Sequence, residues 1–144
     1  MIRATGWLLA LIAGAASAQL APTAYDLARS APLAPGTWQY RALPGASEAQ
    51  FGTLVQLRCD YATRRVLVRR FDASVAATPT PPLAISTDTI SRPVARDGWL
   101  LSSDPLLAGI AFSRGRFVID GGGGGRIVVP SSPEAARTIE DCRN

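Results

Sequence analysis

The fold is decided by residues 51–71, whose sequence is FGTLVQLRCD, then YAT, then RRVLVRRF. Two sets of residues alternate from Phe51 to Asp60: the first is Phe51, Thr53, Val55, Leu57 and Cys59, and the second is Gly52, Leu54, Gln56, Arg58 and Asp60. This two-residue period is typical of a half-buried β-strand. The short segment 61–63 predicts a turn, and residues 64–71 are expected to return as the hairpin partner. The sequence therefore predicts an antiparallel hairpin at the centre of a sheet.

Further strands are predicted on both sides of this hairpin. The expected segments are 37–43, 83–88, 89–95 and 99–101, followed by a second hairpin at 116–120 and 126–129. Residues 72–82 contain Pro79, Pro81 and Pro82 and are predicted to be a loop. The five glycines at 121–125 are expected to form a flexible hairpin tip.

Two short helices complete the prediction. Asp104 is a suitable N-cap and is followed by Pro105, so a helix is expected there, and Gly115 should end it. The first helix is strongly apolar, and we expect Leu107, Ile110 and Phe112 to be core residues. A second helix is expected from Ser132 to about Cys142. The predicted fold class is α+β: a mainly antiparallel sheet or sandwich with two short helices.

Residues 1–18 have the features of a signal peptide. Arg3 precedes an apolar run at 7–13, and Ala16-Ser17-Ala18 is a small-residue cleavage site. The alternative, a membrane anchor, is disfavoured because this run is shorter than the roughly 20 residues that a spanning helix needs. We expect a periplasmic or secreted protein, with a flexible lead-in at 19–36, one helical turn near Tyr25, and a single β-rich domain at 37–144 with no membrane span.

The two cysteines are expected to form a disulfide. An even cysteine count in an oxidising compartment favours a bridge over the alternative of two buried thiols. Ala136, Ile139 and Cys142 share one stripe of the last helix, so Cys142 should face inward and meet Cys59 on the central strand. The bridge would thus link the C-terminal helix to the sheet.

Composition excludes most catalytic chemistry. The chain has no histidine and no lysine, so Ser-His-Asp, Cys-His and Ser-Lys arrangements cannot form. No metal site and no cofactor are expected, and the glycine run lacks the lysine and the following helix of a phosphate-binding loop. Paired carboxylates stay open as an alternative, with these candidates: Asp97, Asp104, Asp120, Glu140 and Asp141. Turns and caps are the more common role of such residues, and we predict that the protein is not an enzyme.

Arginine supplies every basic side chain. Without Arg3 the 14 remaining arginines exceed the 11 acidic residues by three, too small an excess to predict nucleic-acid binding. Several of them cluster on the two hairpins, and a planar guanidinium suits phosphate and carboxylate. The candidate anion or partner surface consists of Arg58, Arg64, Arg65, Arg69, Arg70, Arg114 and Arg116. The alternative is a set of solvated strand faces that keep the sheet soluble.

The C-terminal segment also carries a resemblance. Residues 111–117 (AFSRGRF), then 129–130 (VP) and 133–143 (PEAARTIEDCR) resemble the tail of a group of exported alphaproteobacterial proteins with no assigned activity. The layout of a strand cysteine and a late cysteine is more distantly similar to invasion-associated locus B proteins and to periplasmic accessory proteins of type VI secretion. This resemblance implies a binding or assembly role.

Together these observations predict a non-enzymatic periplasmic binding or interaction module. The expected partner is a protein or an anionic component of the cell envelope. The alternative hypothesis is a periplasmic inhibitor of a hydrolase of the lysozyme or protease type.

Overall fold

The computed structural model describes residues 20–71 and 82–144. The predicted signal peptide at 1–18 and nearly all of the predicted loop at 72–82 lie outside the described residues. The described part forms nine strands and three helices. In chain order they are α1 (Ala24–Leu27), β1 (Trp38–Leu43), β2 (Ala46–Phe51), β3 (Val55–Asp60), β4 (Arg65–Arg70), β5 (Ala84–Ser86), β6 (Ser91–Pro93), β7 (Trp99–Leu101), α2 (Pro105–Phe112), β8 (Arg116–Gly121), β9 (Gly124–Pro130) and α3 (Pro133–Asp141).

The strands form two antiparallel sheets, which confirms the predicted fold class. The first sheet has the order β1-β2-β3-β4-β7, and the second has the order β6-β5-β8-β9. Cys59 on β3 and Cys142 at the end of α3 form the predicted disulfide, with their Cα atoms 5.4 Å apart. No helix in residues 20–71 and 82–144 is long and apolar enough to cross a membrane.

The prediction of one continuous strand over residues 51–60 is wrong. Phe51 ends β2, a turn at 52–54 follows, and Val55 begins β3. Phe51 and Val55 are partners across this turn, and both are fully buried. The two-residue alternation in the sequence therefore continues through the turn, and the pattern resembles that of one continuous strand. The missed strand β2 joins β1 through the two-residue turn Pro44–Gly45, so the first sheet begins with two successive hairpins.

The core lies between the two sheets and is closed by α2 and α3. From the first sheet it receives Leu57 and Cys59, and from the second it receives Phe117 and Ile119, all fully buried. Each side contributes alternate strand residues, since successive side chains point to opposite faces. The helix α3 crosses β1, β2 and β3 on this inner side, which leaves the other face of the first sheet as an outer face.

The expected burial of Phe112 is also wrong. Leu107 and Ile110 are buried as predicted, but the side chain of Phe112 is 71% exposed. The helix α2 has apolar residues on all of its faces. A helix without a polar face has no periodic pattern that indicates which side is buried. Phe112 is the last residue of α2 and projects beyond the core.

The glycine run forms the tip of the predicted β8–β9 hairpin, and this tip is a tight turn. Gly121 and Gly124 pair as the ends of β8 and β9, so the connecting turn contains only two residues. Both of them, Gly122 and Gly123, have positive φ, as the common primed hairpin turns require. Arg70 enters this region, and its Nη1 donates to the carbonyl oxygens of Gly121 (3.1 Å) and Gly125 (2.6 Å).

The expected helical turn near Tyr25 is present as α1, and it is packed against the second sheet. Thr23 and Asp26 form a reciprocal capping box at its start. Tyr25 is buried against Val118 and Val128. The expected lead-in at 19–36 thus contains one short helix whose aromatic ring is buried against the second sheet.

Candidate binding surfaces

The outer face of the first sheet carries three cross-strand rows of side chains. The register of the four strand pairs aligns the middle row as Arg41, Glu48, Arg58, Leu67 and Trp99, one residue on each strand. The flanking rows are Gln39, Gln50, Gln56 and Arg69 on one side, and Leu43, Ala46, Asp60, Arg65 and Leu101 on the other. We call these three rows the outer face.

Glu48 is the centre of a charged network on the outer face. It is 4% exposed and forms an ion pair with Arg41, while Nη1 of Arg58 lies 3.7 Å from its other oxygen. Gln56 Nε2 donates to the same carboxylate at 2.9 Å. One enclosed negative charge therefore holds two guanidinium groups in place, and the surface above them keeps a positive excess.

Arg65 and Arg69 extend this positive surface over β4. The Arg65 guanidinium lies 5.8 Å from the Trp99 ring centre and 3.8 Å from an oxygen of Asp97. The Arg69 guanidinium lies 5.9 Å from the ring centre of Phe71 and has no acidic partner in the described part of the chain. An aromatic ring does not neutralise the positive charge of a guanidinium that packs against it. The charges of Arg65 and Arg69 can therefore still attract an anionic ligand.

The structure brings together three of the seven arginines predicted as a surface. Arg58, Arg65 and Arg69 lie on the outer face, as alternate positions of the β3–β4 hairpin. Arg70 lies on the opposite face and enters the glycine turn. Arg64 is exposed in the preceding turn, where it has a φ of 53°. Arg69 and Arg70 lie on opposite faces because successive side chains of a strand point to opposite sides of the sheet.

Of the remaining two predicted arginines, Arg116 begins β8 of the second sheet and Arg114 precedes this strand. Arg116 Nη1 donates to the carbonyl oxygens of Ala28 (3.2 Å) and Ala31 (2.9 Å), and Arg114 Nε lies 3.8 Å from an oxygen of Asp88. Both line a cleft beside α1 that also contains a carboxylate. The structure therefore does not place Arg114 and Arg116 on the outer face with Arg58, Arg65 and Arg69.

Arg41 belongs to the outer face but was missed by the sequence analysis. It lies on β1, and its contact with Glu48 depends on the β1–β2 hairpin. The sequence pattern does not predict that hairpin, because residues 46–50 are mostly small or polar. The signal that could have found it is Pro44-Gly45, a dipeptide that marks turns.

The carboxylates considered as acid/base candidates all have local partners. Asp104 caps α2 through the Leu106 amide at 2.9 Å and pairs with Arg92. The others are held by these contacts: Asp97 by the Trp99 amide, Asp120 by Arg126, Glu140 by Arg143 and Asp141 by the Tyr40 hydroxyl. Within residues 20–71 and 82–144, no three histidine, cysteine or acidic side chains form a group that could hold a metal ion.

A groove of about 560 Å³ lies between β1 and α3. Its strand wall consists of residues 38–41, and its helix wall of Pro133, Glu134 and Arg137. The Arg137 guanidinium stacks 4.1 Å from the Tyr40 ring centre. The hydroxyl of Tyr40 donates to Asp141 at 2.7 Å, and this hydrogen bond raises the pKa of Tyr40.

The chain matches no protein-family model, no curated protein and no solved structure.

Proposed function

We propose that this protein is a non-catalytic interaction module, exported to the periplasm or beyond, whose outer face binds an anionic partner. The single observation that supports this function is the placement of four arginines, Arg41, Arg58, Arg65 and Arg69, on one face of the first sheet. Three of these side chains remain 39–59% exposed while engaged with their neighbours.

The spacing of these charges favours an extended anionic surface over a single small anion. Arg41 on β1 and Arg69 on β4 are separated by three strand spacings, about 14 Å. Two guanidinium groups so far apart contact separate phosphates or carboxylates. The amide side chains of Gln39, Gln50 and Gln56 form a neighbouring row that supplies both donors and acceptors.

The acidic residues on this face leave the positive excess in place. Glu48 is enclosed by Arg41 and Arg58. Asp60 accepts hydrogen bonds from the amide and hydroxyl of Thr63, and these bonds lower the pKa of Asp60. Arg69 has no acid opposite it among the described residues, and is thus the most available guanidinium for a ligand.

The test compares two pairs of neutralised arginines. The double variant Arg65→Gln and Arg69→Gln removes two charges from the outer face, and the control Arg29→Gln and Arg114→Gln removes two charges beside α1. The probes are polyphosphate, polyglutamate and vesicles of anionic phospholipid, each measured over a range of salt concentrations. We expect the first variant to weaken binding about three- to tenfold, since exposed ion pairs contribute up to about 1 kcal/mol each.

The salt dependence provides the second measurement. Exposed charges are screened over about 8 Å at physiological ionic strength, so binding should weaken steeply as salt is added. The outer-face variant should also show a shallower salt dependence than the control variant. Binding that is equal for both variants, or absent for all three probes, would overturn the proposal.

A further inference from the structure

The strand β1 is an edge of the first sheet. Its register with β2 identifies which backbone N–H and C=O groups of β1 have no partner strand. The amide of Gly52 donates to the carbonyl oxygen of Thr37 at 3.1 Å. In an antiparallel pair, alternate residues exchange hydrogen bonds with the partner strand. The residues bonded toward β2 are thus 37, 39, 41 and 43, while the N–H and C=O groups of Trp38, Tyr40 and Ala42 point away from β2.

These outward groups have no hydrogen-bond partner in residues 20–71 and 82–144. The other sheet edges offer less. Strands β6 and β7 contain three residues each, and two carbonyls of β9 are occupied: Val128 by the Ala34 amide at 2.7 Å and Pro130 by Trp38 Nε1 at 2.8 Å. Strand β1 has six residues, no proline and no bulge. Such an edge is a ready template for another strand.

The groove beside β1 adds side-chain contacts to this edge. The side chains of Trp38, Tyr40 and Ala42 point to the α3 side, because their neighbours Gln39 and Arg41 belong to the outer face. A strand added about 4.8 Å from β1 would place alternate side chains between β1 and α3. The exposed and small Ala42 leaves the far end of this space open.

We propose that β1 and α3 form a receptor for an extended segment of a partner protein, which pairs with β1 as a sixth strand of the sheet. This proposal does not depend on the outer-face function, although Gln39 and Arg41 line the groove as well as the outer face. Backbone hydrogen bonds would supply much of the affinity, and the groove would select side chains at alternate positions, as in other cases of strand addition.

The charges of the groove indicate which side chains fit. The Glu134 carboxylate forms no ion pair or hydrogen bond among the described residues, and Arg137 is held only by the Tyr40 ring. A basic side chain at one groove-facing position of the segment would pair with Glu134. The segment is therefore expected to be extended, free of proline, and basic at that position.

The experiment begins with the full chain and a phage-displayed library of linear dodecapeptides, and the affinity of enriched synthetic peptides is measured by calorimetry. Ala42→Pro removes an outward N–H without touching the β1–β2 hydrogen bonds, and proline is tolerated at such edge positions. Ala42→Val is the matched control that keeps the N–H. We expect Ala42→Pro to weaken peptide binding about tenfold or more, and Ala42→Val to change it less than about threefold.

A second measurement leaves the protein unchanged, so a folding defect of Ala42→Pro does not matter. Methylation of the peptide amides at alternate positions should abolish binding, and methylation of the intervening amides should not, because only every second amide of an added strand faces β1. Glu134→Gln should weaken peptides with a basic residue and spare their neutral analogues.

Three results would overturn the proposal. The first is a library that yields no binding peptide. The second is a set of peptides that bind Ala42→Pro as well as the wild type and tolerate amide methylation at every position. The third is peptide binding that is lost in the variant with Arg65→Gln and Arg69→Gln, since that would place the peptides on the outer face.

Discussion

The glycine turn between β8 and β9 gives a sharp test of the fold. Gly121 has a φ of +78°, and a Cβ atom at this position would lie closer than 3.0 Å to the carbonyl oxygen of Pro82. A Cβ atom at Gly125 would have no heavy atom within 4 Å, and Gly125 lies within the strand β9. The two substitutions by alanine thus replace glycines four positions apart, one in a crowded site and one in open space.

The expected cost of Gly121→Ala combines two effects. The left-handed backbone costs an L-residue about 1–2 kcal/mol, and a clash with backbone in a packed region costs about 1–3 kcal/mol. The free energy of unfolding should therefore fall by about 2–5 kcal/mol. Gly125→Ala meets neither obstacle and restricts the unfolded chain, so its effect should lie between no change and a gain of about 1 kcal/mol.

Urea denaturation followed by circular dichroism measures both values, and thermal denaturation provides a check. For a domain of this size, Gly121→Ala should lower Tm by roughly 8–20 °C. The reasoning fails if Gly121→Ala costs less than about 1 kcal/mol, or if Gly125→Ala is equally damaging. A small cost of Gly121→Ala would mean that Gly121 does not adopt this conformation against Pro82. An equal cost of Gly125→Ala would mean that the surroundings of the two glycines do not differ as described.

Three further predictions concern the disulfide, the helix α2 and one tyrosine. The disulfide joins residues separated by 83 positions, so its removal by Cys59→Ala should lower the free energy of unfolding by about 4–5 kcal/mol in the chain-entropy model. Native protein with two titratable thiols would contradict the bridge. Leu107→Ala should cost about 2–5 kcal/mol, whereas Phe112→Ala should cost less than about 1 kcal/mol because its ring is exposed; equal losses in urea denaturation would show that both residues are buried. The hydrogen bond to Asp141 and burial raise the pKa of Tyr40, so the stability that it contributes is present below its unfolded pKa of about 10 and is lost as pH rises through its higher folded pKa. Absorbance titration of Tyr40→Phe and of the wild type should reveal this late-titrating tyrosine, and an unchanged titration curve would refute the assignment.

The local features of this chain could be derived from its sequence. The alternation from Val55 to Asp60 predicts a strand with one buried face, since side chains of a strand point to opposite sides in turn. Asp104 and Ser132 mark the starts of α2 and α3 because their oxygens accept from amides of the first helical turn. The inward stripe of the last helix also predicted the partner of Cys59.

The placement of side chains across the sheet was decided by tertiary structure alone. Arg41, Glu48 and Arg58 form one network because the register of two hairpins aligns them, and register depends on turns and on which face is buried. Phe112 is exposed because α2 is apolar all round and only packing chooses its buried side. Arg70 meets the glycine turn across 51 residues of chain, a contact that no local pattern encodes. Local patterns determine strands and caps through backbone geometry, whereas a binding surface depends on contacts between segments that are distant in the chain.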